Sequence, residues 1–154
     1  MRQLKIRPLT AERIAQAFPL IQASLPQVTL EAWRDFAAAL VAQGAPAATG
    51  IILVVGERDT IGGLCSYRVE RDLVHGLLLN ADHFLAFDLF DRRAVAHALA
   101  AGVEALARER HCTAIHTELI RTRDPAPADG GLVDVLRTRG HRIETLGMCK
   151  PLPP

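Results

Sequence analysis

The chain opens on a short stretch, Lys5 to Leu9, that reads as a strand. Thr10 follows as a natural helix N-cap, with Glu12 in the first turn. Ile14, Phe18, Ile21 and Leu25 then fall on one apolar stripe, so a helix is predicted to about Leu25, where Pro26 ends it. Thr29 caps a second predicted helix. Its stripe is Leu30, Trp33, Ala37, Leu40 and Val41, its stop is Gly44, and Ala45 to Thr49 form a loop.

At Gly50 the period changes. Ile51 to Val55 is an unbroken apolar run suited to a strand covered on both faces, and Glu57 to Thr60 turn the chain into a second strand, Ile61 to Glu70. In that strand Cys65, Tyr67 and Val69 alternate with Ser66, Arg68 and Glu70, so the two strands should pair as a hairpin. His83 to Phe90 reads as a third strand, with Asp88 an acid among apolar neighbours. A long helix is predicted from Arg92 to Arg110. It turns Val95, Leu99, Gly102, Val103 and Leu106 inward and Arg93, His97, Glu104 and Arg108 outward. Gly102 in mid-helix points to close packing on the sheet. Then come a strand from Thr113 to Ile120, a loop from Arg121 to Gly131, a helix from Leu132 to Arg139 stopped by Gly140, and a last strand region from Ile143 to Leu152. The predicted order is β-α-α-β-β-β-α-β-α-β, an α/β (α+β) arrangement without internal repeat.

At 154 residues this is one domain, 1–154, with one core. Hydrophobic residues make up 49% and charged residues 23%, which excludes a disordered or fibrous chain. Eighteen basic against 17 acidic side chains leave a net charge of +1, so no overall field favours nucleic acid. The longest aliphatic run, Ile51 to Val55, is far too short for a bilayer, and no membrane association is expected. Met1 to Pro8 carry charges inside the apolar stretch and lack the core of a secretory signal, so the expected location is the cytoplasm. Cys65, Cys112 and Cys149 are odd in number and widely spaced, consistent with reduced thiols. The six histidines contain no H-x-x-x-H pair, and no metal is expected.

The order of elements resembles the GNAT superfamily of N-acetyltransferases over nearly the whole chain. The residues that carry the likeness are Ile61-Gly-Gly63, the passage Leu85-Ala-Phe-Asp-Leu-Phe90 into Arg93 to Leu99, the helix ending before His111-Cys112, and the tail Gly140-His141 to Met148-Cys-Lys-Pro-Leu152. The resemblance implies a mixed, mostly antiparallel sheet flanked by helices. It implies acetyl-CoA as co-substrate, its pantetheine arm on the central strand and its pyrophosphate at the following helix N-terminus, where free N–H groups and the helix dipole favour an anion. Asp88, Leu89, Phe90, Arg92, Arg93, Ala94, Val95, Ala96 and His97 are then the cofactor-binding candidates. The family pattern of Arg or Gln, two residues, Gly, one residue, Gly or Ala reads here as Asp91-Arg-Arg-Ala94-Val95-Ala96. Asp91 brings a negative charge, Ala94 replaces a glycine, and Arg92 and Arg93 are the available phosphate contacts or simply exposed first-turn arginines.

An amine must be neutral to attack a thioester, so a nearby base is needed. Asp88 is the first catalytic candidate, with Glu118 and His116 next. The tyrosine that relatives often place on the last helix is Leu136 here, and the aromatic after Gly140 is His141. The one tyrosine, Tyr67, reads as packing, and Cys112 and Cys149 lack an evident activating partner. The expected function is acetyl transfer from acetyl-CoA to an amine of a small molecule or peptide. The alternative is a GNAT-fold binding or regulatory module with reduced turnover. Many relatives form dimers, so a homodimer belongs to the same expectation.

Overall fold

In the computed structural model, which describes residues 3–42, 48–87, 91–119 and 131–154, five strands form one sheet in the order β1-β2-β3-β4-β5. β1 (Lys5–Pro8), β2 (Thr49–Val55), β3 (Ile61–Asp72) and β4 (Gly76–Ala86) are successively antiparallel. β5 (Ala114–Thr117) joins β4 in parallel after the crossover through α3 (Arg92–Glu109). α1 (Phe18–Ser24) and α2 (Leu30–Val41) cover one sheet face, packing Ile21, Trp33 and Ala37 against Ile51, Leu53, Leu64 and Leu85. α3 and α4 (Gly131–Thr138) cover the other, where Val95, Leu99, Val103 and Val135 meet Val54, Cys65, Leu79 and Phe84. This is the mixed, mostly antiparallel architecture that the resemblance implies.

Three elements differ from the sequence reading. The helix expected between Thr10 and Leu25 is broken into two 3-10 turns, Ala11–Arg13 and Ala15–Ala17, ahead of α1. Pro19, in the first turn of α1, has no N–H to continue an earlier helix, so the helix starts afresh there. β4 begins at Gly76, well before His83. The Asp72 carboxylate accepts from the N–H groups of Val74 and His75, and Gly76 takes φ +79°, so a tight turn returns the chain directly from β3. The final strand region, Ile143 to Leu152, forms no strand. Pro151 cannot donate to a ladder, and side chains tie the segment down: Glu144 to His75 at 2.8 Å and Thr145 to His116 at 2.9 Å.

Other features follow the sequence closely. Thr29 Oγ1 accepts from Ala32 N–H at 3.1 Å, capping α2, while Gly44 lies outside the described residues. A Cβ on Gly102 would stand 2.9 Å from Ile6 Cδ1, so α3 does cross the sheet at close range. None of the described helices is long and apolar enough to cross a membrane.

Candidate active site

β4 changes partners partway along its length. Ser66 pairs with His83 but Tyr67 with Ala81, so Asp82 is an extra residue on β4, a β-bulge. Pairing with β5 covers Leu78 to Ala81 only, and Glu118 N–H makes the last contact, to Ala81 C=O at 2.9 Å. Beyond the bulge β4 is laddered to β3 alone among the described residues. Phe87 N–H donates to Gly62 C=O at 2.8 Å. Since main-chain groups alternate along a strand, those of Phe84 and Ala86 face away from β3, toward the opening left by β5.

The N-terminus of α3 meets the lower end of this opening. A Cβ on Gly63 would lie 2.9 Å from Val95 Cγ1, and one on Gly62 3.5 Å from Val95 Cγ2, so the two glycines let the helix end seat directly on β3. The chain's own side chains already engage both surfaces. Asp91 Oδ1 accepts from Ala94 N–H at 3.0 Å as the N-cap, and Arg92 Nε donates to Ala86 C=O at 3.0 Å. Arg93 pairs with Asp134 of α4 at 2.8 Å. Val95 and Ala96 are buried in the core, and Val95 N–H donates to Asp91 C=O at 3.3 Å, while Ala94 and His97 are half-buried. Asp88, Leu89 and Phe90 lie outside the described residues.

On the α2 side of the sheet a second arrangement stands beside the bulge. His83 Nδ1 lies 2.7 Å from Ser66 Oγ, and the Phe36 ring meets the imidazole edge-on, centroids 5.1 Å apart. Ser66 is 2% exposed and His83 half-buried. Arg68 grips Asp82 through two hydrogen bonds, at 2.8 and 3.3 Å, and Glu70 at 3.2 Å. The hydrogen bond that Arg68 donates to Asp82 is the chief cause of its raised pKa, with Glu118 a minor contributor through space. Glu118 therefore lies near this polar row but is itself exposed. His116 is drawn off to the C-terminal tail by Thr145.

Sequence reading passed over Ser66 and His83 because their meeting depends on a bulge that no local pattern announces. The available signal was a polar residue on each of two adjacent strands, two places from an apolar partner that faces α1 and α2: Leu64 before Ser66 and Leu85 after His83. Tyr67 is buried in the core, and burial pushes its phenol pKa up, which fits packing. Leu136, in the place of a tyrosine, is buried too. Burial likewise raises the thiols of Cys65 and Cys112. A cavity of about 590 Å³ lies elsewhere, between β5, α4 and the tail. Among the described residues no group of three or more His, Cys, Asp or Glu is placed to hold a metal ion.

No protein-family model matches the chain, and no curated protein matches it in sequence. Its fold, however, is found in solved structures. An aminoglycoside N-acetyltransferase in complex with CoA superposes with a TM-score of 0.74 at 15% identity, over 98% of this chain and 96% of that one. Glucosamine-6-phosphate N-acetyltransferase from Arabidopsis thaliana gives 0.68 at 15% identity, over 98% and 99%. A transcriptional regulator from Bacillus halodurans C-125 gives 0.75 at 13% identity, over 97% and 100%. The chain therefore has the GNAT fold, the mixed sheet with flanking helices on which these acetyltransferases are built.

Proposed function

We propose that this protein is an N-acetyltransferase that moves an acetyl group from acetyl-CoA to an amine. The observation that carries the reading is the outward-facing main chain of Phe84 and Ala86 beside the α3 N-terminus. Such an edge offers an amide-bearing arm the hydrogen bonds that β5 does not take, and the helix dipole favours the attached phosphates. Acetyl-CoA supplies the activated thioester. Phe84 and Ala86 would bind its arm through main-chain groups, and the first turn of α3, Arg92 to Ala96, would hold the pyrophosphate. Arg92 would leave Ala86, and Asp91 would leave Ala94, where the ligand takes their places. Of the catalytic candidates, Glu118 stands at the last contact of β5 with β4, whereas His116 serves the tail.

The acceptor is a small molecule or peptide with a free amine. The test is release of CoA thiol from acetyl-CoA with a panel of amines: an aminoglycoside, glucosamine 6-phosphate, a polyamine and a peptide with a free N-terminus. Acceptor-dependent thiol release is expected with at least one class. A second reading, a CoA-binding regulatory module without turnover, is favoured by the Asp91 cap and by Leu136 in the tyrosine's place. It predicts acetyl-CoA binding with no thiol release from any amine.

A further inference from the structure

We propose that His83 is the general base of this transfer and that Ser66 positions it. The inference rests on the acetyl-transfer reading and assigns a role that none of Asp88, Glu118 and His116 would then need to fill. His83 is the first residue past the Asp82 bulge, directly before Phe84, whose main chain faces the opening. Its ring stands on the α1/α2 face, while the α3 N-terminus closes on the opposite face. Thioester and amine can thus reach the opening from opposite sides of the sheet.

Ser66 is buried, and its hydroxyl lies 2.7 Å from Nδ1. With the imidazole proton on Nδ1 and donated to Ser66 Oγ, Nε2 is left as the proton acceptor, and the edge-on contact with Phe36 limits rotation of the ring. Nε2 takes one proton from the acceptor's ammonium group. The freed lone pair forms the C–N bond at the thioester carbonyl, and the C–S bond breaks with its electron pair on sulfur. Of the two protons lost by nitrogen, one passes through His83 to solvent and the other ends on the thiolate. Ser66 reacts with nothing. Its part is to hold the angle of the ring through Nδ1.

The experiment measures steady-state kinetics with the best amine of the panel, alongside acetyl-CoA affinity, for the wild type, His83→Gln, His83→Ala and Ser66→Ala. His83→Gln should lower kcat on the order of 10²-fold with acetyl-CoA affinity unchanged. Added imidazole should restore part of the rate to His83→Ala. Ser66→Ala should lower kcat about tenfold without raising the KM for either substrate. His83→Asn keeps a donor toward Ser66 Oγ and replaces His83→Gln if that variant does not fold. Folded His83 variants that bind acetyl-CoA and turn over at the wild-type rate would overturn the assignment while leaving acetyl transfer intact. A wild type that binds acetyl-CoA but acetylates no amine would instead overturn the transfer reading, and this proposal with it.

Discussion

Asp91 does at the head of α3 what a bound anion would otherwise do: its carboxylate takes the Ala94 N–H. It also sets a negative charge where the proposed pyrophosphate must come. Asp91→Asn keeps an acceptor for Ala94 and removes the charge, so CoA should bind about tenfold more tightly, about 1.4 kcal/mol, by calorimetry. Weaker or unchanged binding would place the phosphates elsewhere. Glu104 acts at the other end of the helix. Hydrogen bonds from Arg139, at 2.7 and 3.0 Å, are the main cause that holds its carboxyl below the ordinary value, and His141 assists at 3.4 Å. A carboxyl whose folded pKa is depressed contributes its full stability above the unfolded value and loses it as pH falls through the folded one. Glu104→Gln should therefore cost about 1 kcal/mol near pH 7. In urea melts the difference from wild type should close as the pH falls below about 4. Single residues were unevenly legible from sequence. Asp91 stood out as a negative charge in the resembled phosphate pattern, but Glu104 reads as an exposed acid until Arg139, 35 residues on, is placed beside it.

At the scale of elements, the contact between β3 and the head of α3 decides whether the site is formed. Gly63→Ala would press a methyl group to within 2.9 Å of Val95 Cγ1 and 3.3 Å of both Leu85 C=O and Val54 Cγ2. Val95 is branched at Cβ and buried, so relief requires a shift of the helix end. The variant should lose about 1–3 kcal/mol in denaturant unfolding, and its acetyl-CoA affinity should fall. At α2, Thr29→Ala should cost about 1 kcal/mol by the same measurement, the usual loss for an N-cap. Elements with strong local signals were readable in advance: α2 from its cap and stripe, α3 from its long amphipathic run, β2 from its unbroken apolar stretch. Others were settled by terms a stripe does not contain. Pro19 divides the first helix, the Asp72 turn starts β4 early, and the tail meets β5 through the Thr145 side chain.

For the whole molecule, the resemblance implied the architecture, and the strand–helix–strand passage at β4-α3-β5 carries the one parallel pair of the described sheet, while the last expected strand is absent from it. The resemblance implied an exposed central strand, but where the opening begins was not legible, because it arises where a bulge on one strand meets the end of another. The solved structures of this fold include both acetyltransferases and a protein described as a transcriptional regulator, so the fold does not by itself decide between turnover and regulation. Both readings need the chain to bind the same ligand at the β4 edge.

The most direct measurement is thermal unfolding of the protein across a titration with acetyl-CoA. A ligand that binds only the folded chain, present at about 100 times its dissociation constant, adds about 2.7 kcal/mol. For a domain of this size that corresponds to a midpoint rise of about 5–10 °C. A saturable rise of that order, reduced in Gly63→Ala and brought to lower ligand concentration in Asp91→Asn, is the predicted result. An unchanged midpoint at millimolar acetyl-CoA would contradict the account, because the β4 edge and the head of α3 would then have no acyl-CoA to hold.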